Sequence, residues 1–252
     1  MTALVEPRQD FRDVVVIGGG CYGTFYAGQL EAARAKGKIA YRNVLLVDQN
    51  PSCKAAGQRL APSHELVIAS WAPFLAEFLE RPAPAPGEPD DAIVPSPLMP
   101  HLMADWLEER ARREWPGRTI ALRPVDEPAG TPYDATGPDG TRYVSFADWI
   151  CPTHCVEPHI CPVIKGPRTW EMADTLRAYR RRLARARATA GPALFVTRHR
   201  AFGVGMFDVA EAREAGALLA EAGREDGTVD LLIGTISSCH GAVSLLELGA
   251  VG

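Results

Sequence analysis

The chain has 252 residues, of which 46% are hydrophobic, enough for one large domain or for a domain with a substantial insertion. Its formal net charge of −4 argues against a general nucleic-acid binder, because such proteins are usually basic. No apolar run approaches the roughly 20 residues that a membrane helix needs, and the N-terminus lacks the apolar core of a signal peptide. We therefore expect a cytoplasmic protein without a membrane span.

The first recognisable pattern is a run of apolar residues that leads into glycines. Residues 14–17 (VVVI) predict a buried parallel strand, and Gly18, Gly20 and Gly23 form a Gly-x-Gly-x-x-Gly motif before a helix. Glycines permit a tight turn and a close approach of the backbone to a pyrophosphate. Asp48 ends the next apolar run, where a carboxylate can accept both ribose hydroxyls, which favours NAD or FAD over NADP.

This stretch, VVVIGGGCYGTFYAGQL followed by VLLVD, resembles the nucleotide-binding half of FAD/NAD(P)-binding flavoproteins. It is also similar to the NAD-binding domain of TrkA-type potassium regulators. The resemblance covers residues 13–50 and implies that Gly18, Gly20, Gly23 and Asp48 contact the nucleotide. The second flavin-contacting motif of full flavoproteins is not found, which favours NAD over FAD.

The remaining pattern predicts further strands and helices around an irregular segment. Strands are expected over residues 44–47, 64–70, 193–197 and 229–233, and helices over 21–35, 71–81, 101–115, 168–190, 208–223 and 242–248. Prolines crowd residues 82–100, and residues 131–146 predict a hairpin with Asp139-Gly140 in its turn. We expect an α/β fold: one doubly wound, mostly parallel Rossmann-like domain over residues 1–252, with a Pro- and Cys-rich insertion over 82–167.

A second candidate site lies in the sequence CPTHCVEPHICP. Cys151, Cys155 and Cys161 fall within eleven residues, with His154, His159 and Glu157 among them. Three thiolates and one histidine, His154, would complete a tetrahedral zinc site. The same thiolates would hold an iron–sulfur cluster with a fourth ligand from a distant cysteine such as Cys53 or Cys239. Three reduced cysteines in a surface loop are the remaining alternative.

A third candidate is the adjacent pair Cys239-His240, which we expect between the end of a strand and the start of a helix. That edge of an open α/β sheet is where ligands bind, and a helix N-terminus beside a histidine would lower the thiol pKa. Cys239 and His240 are therefore the candidate catalytic residues. The glycine-rich residues 199–208 are expected on the same edge and would help to line a pocket.

These features favour a dinucleotide-binding redox protein, an oxidoreductase or an electron-transfer component, with a cysteine-ligated metal or iron–sulfur centre. A non-catalytic NAD-sensing regulatory subunit with structural zinc, or a metal-handling or assembly factor, are the alternatives. The arginine-rich helix expected over residues 168–190 is either a solvated amphipathic face or a docking site for a larger protein partner.

Overall fold

The computed structural model describes residues 10–152 and 155–252. Within them the five α-helices are α1 (Cys21–Ala35), α2 (Trp71–Leu79), α3 (Leu102–Glu114), α4 (Met172–Leu183) and α5 (Val209–Ala222). The first seven strands are β1 (Asp10–Ile17), β2 (Ala40–Asp48), β3 (His64–Ile68), β4 (Ala92–Val94), β5 (Ile120–Arg123), β6 (Tyr133–Thr136) and β7 (Arg142–Ser145). The next seven are β8 (Ile160–Cys161), β9 (Gly166–Pro167), β10 (Thr189–Val196), β11 (Arg198–Ala201), β12 (Val204–Asp208), β13 (Val229–Ile236) and β14 (His240–Leu248).

The chain divides into two compact units, and the first comprises residues 10–97 together with Arg198–Ala210. Its sheet has the order β11-β12-β4-β1-β2-β3. Strands β4, β1, β2 and β3 are parallel, whereas β12 and β11 add an antiparallel hairpin at one edge. Val14 and Val16 of β1 and Leu30 of α1 are fully buried in the core of this unit.

The second unit comprises Leu98–Thr197 and Glu211–Gly252. Its sheet has the order β10-β13-β14-β7-β6, and β5 also pairs with β14. Only the β10–β13 pairing is parallel; the other pairings in this sheet are antiparallel. The apolar stripe of α4 packs on buried side chains of β13 and β14 in one core cluster.

The predicted doubly wound, mostly parallel Rossmann-like sheet is wrong. The two main sheets are mixed, many of their strands run antiparallel, and 28% of the described residues are helical. Residues 242–248, predicted as a helix, belong to strand β14, and the glycine-rich residues 199–208 form the β11–β12 hairpin. Short apolar runs fit a helix or a strand equally well, and strand direction depends on the pairing partner.

The proline-rich segment contributes regular structure as well as loops. Strand β4 lies within it and pairs in parallel with β1 through Val14–Val16. The arginine-rich helix ends at Leu183, well before the predicted residue 190, because β10 begins at Thr189. Helix α1 and the β6–β7 hairpin are confirmed.

In the second unit, Arg118 forms hydrogen bonds both to the loop after α5 and to the end of β14. The residue is 9% exposed, and its guanidinium donates to five backbone carbonyls. The acceptors are the carbonyl oxygens of Gly223, Glu225, Gly227, Leu248 and Gly249. A planar guanidinium suits this role because its donors are fixed in one fork.

We predict that Arg118→Met destabilises the protein by about 3 kcal/mol, because buried carbonyls lose their donors. Urea denaturation followed by circular dichroism would measure the change. Arg224→Met, at an exposed position of the same unit, is the matched control and should change the free energy of unfolding by less than about 0.5 kcal/mol. Equal effects of the two substitutions would contradict this role of Arg118.

Candidate functional site

The glycine motif forms a tight turn between β1 and α1 in the first unit. Gly18 has a φ of +97°, in the left-handed region that favours glycine, and its N–H donates to the Val47 carbonyl oxygen at 2.8 Å. Gly20 precedes α1 with an extended backbone, and the first turn of the helix carries no acidic residue. The helix therefore presents its N-terminal dipole at this turn without an acidic side chain from its own first turn.

Gly23 lets α1 approach the turn closely. A Cβ atom at position 23 would lie 1.7 Å from the carbonyl oxygen of Gly18, far inside van der Waals contact. The motif thus has distinct roles at two positions: Gly18 supplies the backbone conformation and Gly23 supplies the space.

Asp48 joins the end of β2 to the same turn. Its Oδ2 accepts a hydrogen bond from the Gly19 N–H at 2.7 Å, and its Oδ1 accepts one from the Asn50 N–H at 2.8 Å. The structure therefore brings Asp48 and the three predicted glycines into one loop cluster. Each carboxylate oxygen has a second lone pair for a further hydrogen bond.

The cysteine loop belongs to the second unit and is partly ordered by short strands. Cys151, Cys155 and Cys161 are free and half-buried, and Cys161 pairs with Gly166 across β8 and β9. His154, the predicted histidine ligand, lies outside the described residues. Burial raises the pKa of Cys151, and the thiols of Cys155 and Cys161 raise it further.

Glu157 connects this loop to the turn between β13 and β14. Its backbone N–H donates to the Cys155 sulfur at 3.4 Å, and its Oε2 accepts from the Ser238 N–H at 3.0 Å. The side chain is 8% exposed, its Oε1 lies 4.0 Å from His240 Nε2, and this oxygen accepts no hydrogen bond from the described residues. The φ of +51° at Glu157 shows that the backbone adopts an uncommon conformation for these contacts.

Cys239 lies in the turn between β13 and β14 and not at the start of a helix. The helix dipole expected to lower its thiol pKa is therefore missing, and burial raises the pKa of Cys239 to about 11. The charges of Glu157 and Cys151 raise it further, while Arg168 lowers it. His240 begins β14 with half of its side chain exposed.

An aromatic cluster next to Cys239 was missed by the sequence reasoning. The indole N–H of Trp170 donates to the Cys239 sulfur at 3.3 Å. Phe146 stacks on Trp170 with ring centroids 5.7 Å apart, and Trp149 meets it edge-on at 6.4 Å. The one local signal was the presence of two tryptophans on either side of a cysteine-rich loop.

The predicted site residues thus fall into two groups, one in each unit. Gly18, Gly20, Gly23 and Asp48 converge in the first unit, and the cysteine loop meets Cys239 in the second. In the described part of the chain, no three His, Cys, Asp or Glu side chains already have a metal-binding arrangement. None of the helices in the described ranges has the length and apolar character to cross a bilayer.

Some of the arginines on the basic face of α4 form ion pairs with acidic side chains. Arg177 lies 2.8 Å from Asp174, and Arg182 lies 2.9 Å from Glu127. The opposite face buries Met172, Leu176 and Leu183 in the core. The amphipathic character is confirmed, and docking of a partner on this helix stays a prediction.

Residues 103–249 match the family model AF_1314_C, described as an uncharacterized protein, C-terminal domain. Because the match spans more than half of the chain, this protein belongs to that family. The match includes the cysteine loop and Cys239, while the glycine motif precedes it. No curated protein and no solved structure matches the chain.

We predict that Gly23→Ala destabilises the protein by about 2–3 kcal/mol, because the added methyl group overlaps the Gly18 carbonyl. Thermal and urea unfolding would measure this. Gly28→Ala in the same helix has open space around its Cβ and should be neutral or stabilising by up to about 1 kcal/mol. If Gly23→Ala unfolds like the wild type, the close approach of α1 to the turn is not required.

Proposed function

We propose that this chain is a dinucleotide-binding redox protein with a metal or iron–sulfur centre held by its cysteines. The observation that supports the proposal is the contact of the cysteine loop with the turn that carries Cys239: the Glu157 N–H donates to the Cys155 sulfur, and the Glu157 Oε2 accepts from the Ser238 N–H. The sequence separates the loop from Cys239 by several secondary-structure elements. Their meeting in one place supports a shared role better than isolated structural cysteines do.

The chemistry of the donor set favours a soft metal. Thiolates select zinc, cuprous copper or iron–sulfur clusters over magnesium and calcium. Burial raises the pKa of Cys151 and of Cys239, so both are protonated at neutral pH unless a cation replaces the proton. A bound metal ion would supply that cation and release the protons.

An iron–sulfur cluster fits the redox proposal, because zinc has no redox chemistry in proteins. With zinc, the same site would be structural, and the chain would be a regulatory subunit that senses a nucleotide. The six cysteines are all free, which fits the reducing cytoplasm for either centre.

The glycine turn is the proposed nucleotide site. Its support is the parallel β1–β2 pair, the left-handed Gly18 and the Asp48 carboxylate at the end of β2. Free N–H groups at the start of α1 would face the pyrophosphate, and Asp48 would accept from the ribose hydroxyls. NAD and FAD both fit this recognition, since they share the adenosine diphosphate half.

The two proposed cofactors differ in how they exchange electrons. A nicotinamide gives two electrons as a hydride, whereas a single cluster takes one electron at a time. A flavin exchanges either one or two electrons, so FAD would suit a direct partnership with an iron–sulfur cluster. As an electron-transfer component, this chain would exchange electrons with a larger redox protein that docks on the exposed arginines of α4.

For the metal, we predict that protein purified without oxygen is brown and contains iron and acid-labile sulfide, and that Cys155→Ser loses most of both. Absorption spectra and elemental analysis on one sample would measure this. Cys21→Ser, at an exposed cysteine of the first unit, should keep the wild-type content. A colourless protein with zinc would favour the regulatory alternative, and a wild-type protein without metal would refute the centre.

For the nucleotide, we predict that Gly20→Val weakens binding of NAD or FAD at least about a hundredfold, or ~2.7 kcal/mol. A Cβ at position 20 meets no atom within 4 Å, so the fold tolerates the change while the side chain blocks the pyrophosphate. Isothermal titration calorimetry with each nucleotide would measure the affinity, with Gly28→Ala as the control. Undiminished affinity in a folded Gly20→Val protein would refute the assignment.

A further inference from the structure

A cavity within the second unit is lined by residues other than those predicted as site residues. Its volume is about 420 Å³, and its walls come from the start of α3, from β5, from the turn of the β6–β7 hairpin and from β14. A cavity of this size with a few convergent polar groups is typical of a small-molecule site. The polar side chains that line it are those of His101, Asp105, Arg123, Asp139, Thr141 and Ser244.

The imidazole of His101 lies between two carboxylates in this cavity. Its Nε2 is 3.7 Å from Asp105 Oδ2, and its Nδ1 is 3.9 Å from Asp139 Oδ2. Both distances are too long for a hydrogen bond, so these carboxylate oxygens keep lone pairs for the donors of a ligand.

Asp139 is held in a fixed position by its own hairpin. Its Oδ1 accepts a hydrogen bond from the Thr141 N–H, and its Oδ2 accepts one from the Tyr143 hydroxyl, each at 3.1 Å. Burial opposes ionisation of this carboxyl, but the hydrogen bonds from Thr141 and Tyr143 outweigh burial and lower the pKa of Asp139. The cavity therefore contains a fixed negative charge at neutral pH.

Asp105 carries a second carboxylate that lacks such support. Burial raises the pKa of Asp105; the charge of His101 opposes this effect, and the charges of Glu108 and Asp139 add to it. No hydrogen bond to its carboxylate comes from the rest of the described chain. A cation in the cavity would stabilise the ionised form of Asp105, because it would offset both the burial and the repulsion.

Ser244 is an independent sign of a ligand in the cavity. The residue is 7% exposed and lines the cavity, and its hydroxyl has no hydrogen-bond partner within the described ranges. Ala242 and Leu246, its neighbours on the same face of β14, are buried and apolar, so packing alone does not require a serine between them. A buried hydroxyl without a partner costs free energy, and a ligand that pairs with it would recover that cost.

The charges that line the cavity favour a cationic ligand. Arg123 is the one lysine or arginine among the described residues that line it, and its guanidinium is paired with Glu247. The charges of Asp105 and Asp139 are therefore not balanced by a free basic side chain. These two carboxylates and His101 do not form a metal-binding group, so a cation that reaches both carboxylates is larger than a metal ion.

We propose that this cavity binds a small organic amine, whose ammonium groups donate to the carboxylates of Asp105 and Asp139 and whose chain passes the Ser244 hydroxyl. Ammonium groups carry several N–H donors and no acceptor, which matches a cavity with two carboxylates and a hydroxyl oxygen. This inference goes beyond the proposed redox function and does not depend on the cysteine loop or on the glycine turn.

The proposal is tested by isothermal titration calorimetry of the full chain with putrescine (1,4-diaminobutane). We expect putrescine to bind at one site, and 1,4-butanediol, a neutral analogue of the same length, to bind at least about tenfold more weakly because it lacks the charge. Asp105→Asn and Ser244→Ala should each weaken putrescine binding about tenfold, since each removes one of its partners. Glu109→Gln, at an exposed position one helical turn after Asp105, is the matched control and should change the affinity by less than about twofold.

Circular dichroism checks that each variant is folded, and Ser244→Ala decides the matter where Asp105→Asn fails to fold. Three results would overturn the proposal: no binding of putrescine to the wild-type chain, equal affinity for 1,4-butanediol, or wild-type affinity in a folded Asp105→Asn or Ser244→Ala variant. A loss of affinity in Glu109→Gln as large as that in Asp105→Asn would also overturn it, because binding would then follow the overall charge and not this cavity.

Discussion

The contacts of Glu157 are the interaction on which the cysteine site depends. One backbone N–H and one carboxylate join the Cys155 sulfur to the turn that carries Cys239. A carboxylate that is 8% exposed is costly to bury unless hydrogen bonds or charges compensate it. Its Oε2 accepts a hydrogen bond from the Ser238 N–H, and its Oε1 lies 4.0 Å from His240 Nε2.

Strand β14 supplies the rigid support for this arrangement. It pairs with β13 from Gly241 to Leu248, and on its other edge with β7 and then β5. These ladders fix where β14 begins and therefore where the 237–240 turn lies. A residue next to a paired strand is positioned more precisely than a residue in a loop.

The two candidate sites differ in how far apart in the sequence their residues lie. The glycine turn is local: Gly18, Gly20 and Gly23 lie close together in the chain, and Asp48 ends the neighbouring strand, so motif and spacing were enough to group them. The cysteine site depends only in part on residues that are close together in the sequence. The loop cysteines are visible as a cluster, but the place of Cys239 beside them depends on β13 and β14 being antiparallel.

The sequence by itself determined helix α1, the glycine turn, the β6–β7 hairpin and the apolar stripe of α4, because each depends on neighbouring residues and a fixed period. It did not determine that the residues from His240 to Leu248 are a strand, or that the sheets are mixed, because pairing partners are remote in the chain. The predicted lowering of the Cys239 pKa failed for the same reason, since it assumed a helix where tertiary pairing placed a strand. Only the tertiary structure brought Trp170 to the Cys239 sulfur and the Glu157 carboxylate to the Ser238 N–H, through contacts that no local pattern encodes.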